Sequence, residues 1–477
     1  MSEKSAARTF IEKVSKILPE IKKPGRKVGL GEKLVWTALA LIIYMWMGHT
    51  ILYGLPHGTQ VGQSPALLNV VFAQKTGTLI TLGIGPIVTA GLILQLLVGA
   101  ELIKLNLSKP EDRGLFTSAS KLLGIVIALF QSAAYVYAGF FGPTTASQNI
   151  AIFIQLVAAT VLIMLLDELV QKGWGLGSGI SLFIVAGVAE EIFVALFSPI
   201  ILPDQAYQGI ILASIQAIFT GNLPAILVRQ GGYPDLVGLF STIFLVLALI
   251  YIEAVRVEIP ISYAKFQGYR AKYPVKLLYV SNVPIIFATT VFSNIFYLGS
   301  LIWSRFNPNN DNIFLNLIGT YRFDEQLGTI VSTGGLAYYV IGPRGIASVL
   351  QDPVRAGIHA GLLILFSVLF AKFWVQVSGL APDKVAEQLI QAGMQVPGFR
   401  RSPDVIAAVI GKYIGTVTIL GGLVIGLVAS VADYVAVFGS GIGLLLTIGI
   451  LQQYYQLLLR ERISEMYPGL GKLLGRE

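Results

Sequence analysis

Apolar runs of about twenty residues, separated by short polar stretches, recur along the whole chain. A helix needs about 20 apolar residues to cross the ~30 Å hydrocarbon core of a bilayer. Ten stretches meet that length: Leu34 to Gly54, Thr78 to Gly99, Ser118 to Phe140, Ile150 to Val170, Ser178 to Phe197, Leu236 to Val257, Val283 to Trp303, Gly357 to Val377, Val405 to Val428 and Tyr434 to Leu459. Two further apolar stretches are not read as spans. Gly328 to Ile341 is too short, and Ala206 to Val228 carries Gln208, Gln216, Asn222 and Pro224 and is expected to be an external interfacial helix. Near the N-terminus, Phe10, Val14, Ile17, Leu18 and Ile21 fall at helical spacing opposite Arg8, Lys13, Lys16 and Lys23. That pattern suits a helix on an anionic leaflet or one packed on a partner subunit.

Composition agrees with a membrane chain. Of 477 residues, 55% are hydrophobic and 13% charged, against about 25% charged in soluble proteins. The net charge of +8 is a topology signal once it is placed on the spans. An even number of crossings puts both termini on one side. All of the 34 Lys and Arg fall on that side or at its span ends except Lys75, Arg229, Arg305, Arg322, Arg344 and Arg355. By the positive-inside rule the N- and C-termini are cytosolic, in a multi-pass protein of the cell (plasma) membrane. The first apolar run follows more than thirty polar residues and lacks a small-residue cleavage site, so it reads as a span and not as a signal peptide. The resulting segments are a cytosolic N-terminal stretch over 1–33, a five-span half 34–205, an external segment 206–235, a second five-span half 236–459 and a cytosolic tail 460–477. An odd number of spans per half gives the halves opposite orientation, which permits an inverted repeat around a central pathway. The expected fold class is all-α.

Candidate chemistry is sparse. The chain has no Cys, its His49, His57 and His359 form no H-E-x-x-H pattern, and no G-x-x-x-x-G-K-[ST] loop is present. No catalytic, metal or cofactor site is therefore expected. Ionisable residues within spans mark ion or proton pathways, and here they sit at span ends. Asp167 and Glu168 close the fourth span and Glu190 and Glu191 lie toward the outer end of the fifth. Glu253, Arg256 and Glu258 end the sixth, and Asp433 falls in the turn between the last two. Empty span centres argue against a secondary transporter, and the absence of an assembled nucleophile, acid pair or metal argues against an intramembrane enzyme. The spans carry Gly, Pro and β-branched residues instead, at Gly83-Ile84-Gly85-Pro86-Ile87-Val88-Thr89-Ala90 and Gly173-Trp174-Gly175-Leu176-Gly177-Ser178-Gly179-Ile180. Pro86 is expected to loosen its helix. Ile84 with Val88, and Ile180 with Ile184, each make one apolar ridge, and such ridges can seal a constriction by dewetting.

The run from Gly77 to Ala90, continuing to Gln95-Leu96-Leu97, resembles the second-span signature of the SecY family, the translocon alpha subunits, in its archaeal and eukaryotic form. Asp167-Glu168-Leu169-Val170 with the glycine run to Ile180 is similar to the motif joining the family's fourth and fifth spans. Glu253-Ala254-x-Arg256-Val257-Glu258-Ile259-Pro260 is similar to the start of its sixth loop. The resemblance implies a protein-conducting channel of two five-span halves around an hourglass pore that opens sideways to lipid. It places a pore ring at Ile84, Val88, Ile180, Ile184, Ile286 and Leu445 or Leu446. A plug would span 64–73 and include Pro65, Leu67, Leu68, Val70, Val71 and Phe72. Thr89, Gln131 and Asn294 would form a polar cluster at the lateral gate, with Gln131 at a position that can be Glu in relatives. Cytosolic loops 258–282 and 378–404 would dock a ribosome through Arg256, Lys265, Arg270, Lys272, Arg400 and Arg401. Implied partners are a SecE-like gamma subunit and a small beta subunit in a heterotrimer, the ribosome, signal sequences and nascent chains, and the lipid bilayer.

Overall fold

A bilayer offers no water to backbone N–H and C=O groups, so apolar runs fold as helices that satisfy themselves. The computed structural model describes residues 19–55, 72–100, 102–103, 105, 109–142, 144–202, 205–229, 233–263, 270–278, 283–324, 329–391, 394–395 and 402–466. Nine helices among them are long and apolar enough to cross a membrane. The N-terminal amphipathic residues Arg8 to Leu18, plug residues Pro65, Leu67, Leu68, Val70 and Val71, and loop residues Lys265, Arg400 and Arg401 lie outside the described residues.

The first half comprises α1 (Leu30–His49), α2 (Gly85–Gly99), α3 (Pro110–Tyr137), α4 (Ala146–Leu169), extended by a π turn (Val170–Trp174), and α5 (Gly179–Phe197). A short helix α6 (Ile210–Thr220) leads to the second half. That half begins with α7 (Leu236–Ala254), the strands β1 (Arg256–Tyr263) and β2 (Arg270–Lys276), and α8 (Val283–Phe306). Then come α9 (Ile313–Ile318), β3 (Thr320–Asp324), β4 (Thr329–Gly334), α10 (Leu336–Val340) and α11 (Ile346–Gln351). The chain closes with α12 (Pro353–Val377), α13 (Pro382–Gln391), β5 (Met394–Gln395), α14 (Pro403–Tyr434) and α15 (Gly441–Met466). The 11 residues of α6 are too few to span, in keeping with its reading as a non-spanning element. This is an all-α multi-pass membrane architecture whose small sheets belong to loops.

The second span departs from its expected bounds. Helix α2 starts at Gly85, not Thr78, and its 15 residues reach only about 22 Å at 1.5 Å per residue. Gly83 adopts φ +52, and a Cβ there would lie 2.1 Å from the Phe72 carbonyl oxygen. Pro86 falls in the first turn of the helix, where its missing N–H costs nothing. It therefore starts the helix and does not loosen it. The last two spans also shift. Helix α14 runs on to Tyr434, and a turn with positive φ at Ala436, Gly439 and Ser440 precedes α15. Asp433 thus lies in the last turn of α14, buried, where its Oδ1 accepts from Gly441 N at 2.6 Å.

Each half packs mainly within itself: α2 on α3, α3 on α4, and α1 on α4 and α5, then α8 on α12 and α12 on α14. The halves meet along two seams, α5 against α15 on one side and α2 against α8 and α12 on the other. The α12–α14 contact is tightest, because Gly422 and Gly426 repeat at helical spacing and bring the backbones together. A Cβ on Gly422 would lie 2.9 Å from Val368 Cα, and one on Gly426 2.7 Å from Ile364 Cα. Gly426→Val should force these helices apart and destabilise the protein by about 1–3 kcal/mol, the usual scale of overpacking. Thermal unfolding in detergent checks this, and a melting temperature equal to wild type would contradict the contact.

Candidate functional site

Helices α2, α5, α8 and α15 all contribute to one contiguous apolar cluster, which also takes in residues of α1, α3, α4, α7, α12 and α14. Ile84, Ile184, Leu445 and Leu446 are buried in it, and Val88, Ile180 and Ile286 pack against it half-buried. All seven residues implied for the ring belong to this cluster. Ile84 precedes α2, where its N–H donates to Phe72 O at 2.8 Å, and Val88 N donates to Ile84 O at 3.0 Å. Phe72, which the resemblance places in the plug, is buried in the same cluster. Its ring packs over Gly85, at 3.3 Å from where a Cβ would stand.

The ridge of Ile180 and Ile184 is set by the Asp167 motif. The chain leaves α4 through the π turn, with Gly173 at φ 101, and returns as α5. Asp167 Oδ1 accepts from Ile180 N at 2.9 Å and from Ser178 Oγ at 3.5 Å, while Gln171 Nε2 donates to Oδ2 at 2.6 Å. A carboxylate from one helix thus caps the N-terminus of the next. Gly179 is required there, because a Cβ would lie 2.6 Å from Asp167 Cα. From the other half, Tyr454 on α15 donates to Ser178 O at 2.8 Å and accepts from Ser178 N at 2.9 Å. Glu168 is paired with Lys121 at 2.5 Å and Lys172 at 2.7 Å. Both acidic residues of the motif therefore hold structure.

Thr89 and Asn294 meet across the α2–α8 seam, Asn294 Nδ2 donating to Thr89 Oγ1 at 3.4 Å. Gln131, half-buried on α3, does not share that bond, so the structure joins two of the three expected residues. Sequence reasoning missed a second link on this side. Tyr44 on α1 donates to Ala73 O, and Gln74 Nε2 donates to the hydroxyl of Tyr297 on α8. Lys75 pairs with Glu190 on α5, which His49 also reaches at 3.2 Å. Residues 73–75 are therefore tied to both halves. Buried Tyr135 and Tyr297 stand edge to face at 5.6 Å across the same seam. Nothing local marks these partners, since Gln74 and Tyr297 lie 223 residues apart.

The SecY family profile matches residues 78–455, most of the chain. A protein translocase subunit SecY from Pyrococcus horikoshii is 41% identical over 479 residues, covering 98% of this chain and 99% of its own. The chain belongs to the SecY family. Its fold is similar to that of a solved protein-conducting channel, with a TM-score of 0.81, 34% identity, and coverage of 96% of this chain and 99% of that one. It is also similar to Sec61 in the canine ribosome-channel complex from the endoplasmic reticulum, with a TM-score of 0.78, 33% identity, and the same coverage.

Among the implied docking residues of this SecY-family chain, Arg256, Arg270 and Lys272 are described, and all three lie on one sheet. Strand β1 pairs antiparallel with β2 and also with β5, through Ser262 opposite Gln395 and Tyr263 opposite Met394. Loops 258–282 and 378–404 are thereby joined into one three-stranded sheet, which the sequence did not reveal. Arg256 is exposed at its edge, Arg270 begins β2, and Lys272 pairs with Glu258 at 2.5 Å. That hydrogen bond holds the Glu258 carboxyl below the usual carboxylate range. Of the motifs, the Asp167 cap is the one whose loss should be felt most directly. Asp167→Ala leaves Ile180 N without its acceptor and should cost about 1–2 kcal/mol, as for other lost caps. Amide hydrogen exchange should quicken over Ser178–Leu182, and unchanged protection there would contradict the capping role.

Proposed function

We propose that this chain is the pore subunit of a protein translocation channel, passing unfolded polypeptides across a membrane and releasing hydrophobic segments sideways into lipid. The convergence of α2, α5, α8 and α15 on one apolar cluster carries this reading. Such a constriction excludes water and ions by dewetting while offering a moving chain no specific bond. Ile84, Val88, Ile180, Ile184, Ile286 and Leu445 or Leu446 form the ring, with both leucines buried. The segment ending at Phe72 is the plug that rests on it. The lateral gate is the α2–α8 seam, where one side-chain hydrogen bond, Thr89 to Asn294, links the expected polar positions. Bonds of this kind are worth about 0.6 kcal/mol inside membranes, so the seam can part when a segment enters it. A segment held there chooses its solvent by transfer free energy: each central Leu or Ile favours lipid by ~0.3–0.6 kcal/mol, and a charge opposes it by ~2.5–3.5.

The bias of Lys and Arg toward one face supports termini and a β1–β2–β5 sheet on the cytosolic side of a cell membrane. Similarity to a channel seen in a ribosome complex supports Arg256, Lys265, Arg270, Lys272, Arg400 and Arg401 as contacts for ribosomal RNA phosphate, which would make binding salt dependent. A gamma subunit and a small beta subunit complete the heterotrimer.

Reconstituted vesicles test the function. A secretory precursor should gain protease protection only when this chain and its partner subunits are present. The paired replacements Thr89→Cys and Asn294→Cys, introduced into a chain with no Cys of its own, should abolish that protection when cross-linked and restore it on reduction. Protection without this chain would remove the channel reading, and full transport through the cross-linked protein would remove the lateral gate.

A further inference from the structure

Beyond the end of α8, the chain Asn307-Pro308-Asn309-Asn310-Asp311-Asn312 turns back into α9. Asparagines fix this turn. Asn307 Nδ2 donates to Asn316 Oδ1 at 2.7 Å, and Asn312 N donates to Asn307 Oδ1 at 3.0 Å. Asn316 Nδ2 donates to Asn310 O at 2.8 Å, and Asn312 Oδ1 accepts from Phe314 N at 3.0 Å and Leu315 N at 3.4 Å. So short a helix could not hold its orientation alone. Here its polar side is locked, and Ile318 packs beside Gly299, 3.5 Å from where a Cβ would stand.

The same lock aims an apolar face outward. Ile313, Phe314 and Leu317 fall within an arc of about 100° at helical spacing and are 75%, 80% and 68% exposed, next to Phe306 at 71%. No charged residue occurs in Ile313–Ile318. Depth decides what this face meets. Gly299 lies seven residues before Phe306, the end of a membrane-spanning helix, so the C-terminal end of α9, at Ile318, packs against α8 about 10 Å below that end at 1.5 Å per residue. Close to that end, six residues and about 9 Å beyond Gly299, Arg305 lies over the ring of Tyr137 at 5.2 Å, its Nε 3.3 Å from the tyrosine hydroxyl. Such Arg and Tyr pairs suit the headgroup boundary. Leu317, next to Ile318 and 68% exposed, is thus open at a depth below the end of the span.

We propose that α9 is a monotopic anchor whose Ile313, Phe314 and Leu317 lie among the phospholipid acyl chains of the leaflet at the C-terminal end of α8. The anchor fixes the depth of that helix end. It rests only on α8 being a span and stands whether or not α8 forms one side of a lateral gate.

With no native Cys, single nitroxide labels can be attached cleanly at Phe314→Cys, Leu317→Cys and, for comparison, exposed Asp311→Cys. In the complete complex reconstituted in phosphatidylcholine and phosphatidylglycerol vesicles, labels at 314 and 317 should show a several-fold higher ratio of oxygen to nickel-chelate collision rates than the label at 311. Two results overturn the anchor: labels at 314 and 317 as open to the aqueous nickel chelate as the one at 311, or labels shielded from both reagents, which would place a protein partner or a second copy over the patch.

Discussion

Every polar backbone group at membrane depth must find a partner within the protein, and the irregular stretch Phe72 to Ile84 is where that constraint is hardest to meet. Ile84 N donates to Phe72 O at 2.8 Å, Lys75 N to Ile80 O at 3.3 Å and Gly83 N to Ile80 O at 2.9 Å. The chain just past α1 supplies two more: Leu79 N donates to Thr50 O and Leu52 N to Gly77 O, both at 3.0 Å. Because these bonds are made, α2 can begin deep inside the molecule. Its first ridge residue, Ile84, then stands fully buried in the central cluster and not at a loop tip.

The two seams differ in chemistry. The α5–α15 side is pinned by Tyr454, which both donates to and accepts from the backbone of Ser178. On the other side the Thr89–Asn294 bond is long at 3.4 Å, beside ring packing, the reach of Gln74 to Tyr297, the pairing of Arg305 with Tyr137 and the packing of α2 on α12. The proposed lateral gate falls on the side with the longer bond. The terminal face adds a further tie: Lys33 on α1 pairs with Glu461 on α15 at 3.0 Å.

What could be read from sequence was local. Span length and hydropathy located the crossing helices, and i, i+4 spacing found the ridges of Ile84 with Val88 and Ile180 with Ile184. The Asp167 motif was visible as a pattern, though its work as a cap for the next helix was not. The start of α2 was misplaced because Thr78 to Ile84 is as apolar as a helix. What stops the helix there is a distant carbonyl, that of Phe72, against Gly83. The pairing of β1 with β5 joins loops more than 130 residues apart, the contact of Gln74 with Tyr297 joins two separate elements, and the orientation of α9 depends on four asparagines folding back together. None of these leaves a periodic signal. Gln131 was grouped with Thr89 and Asn294 on resemblance alone, and in this chain it lies outside their bond.

In the proposed channel, apolar side chains from both halves seal a pore. Ion conductance in planar bilayers tests it most directly. Replacing Ile84, Ile184 and Ile286 together by Ser should wet the constriction and raise conductance well above wild type, with the folded state verified by thermal unfolding. Conductance equal to that of the unaltered protein would contradict the account and remove these residues from the pore.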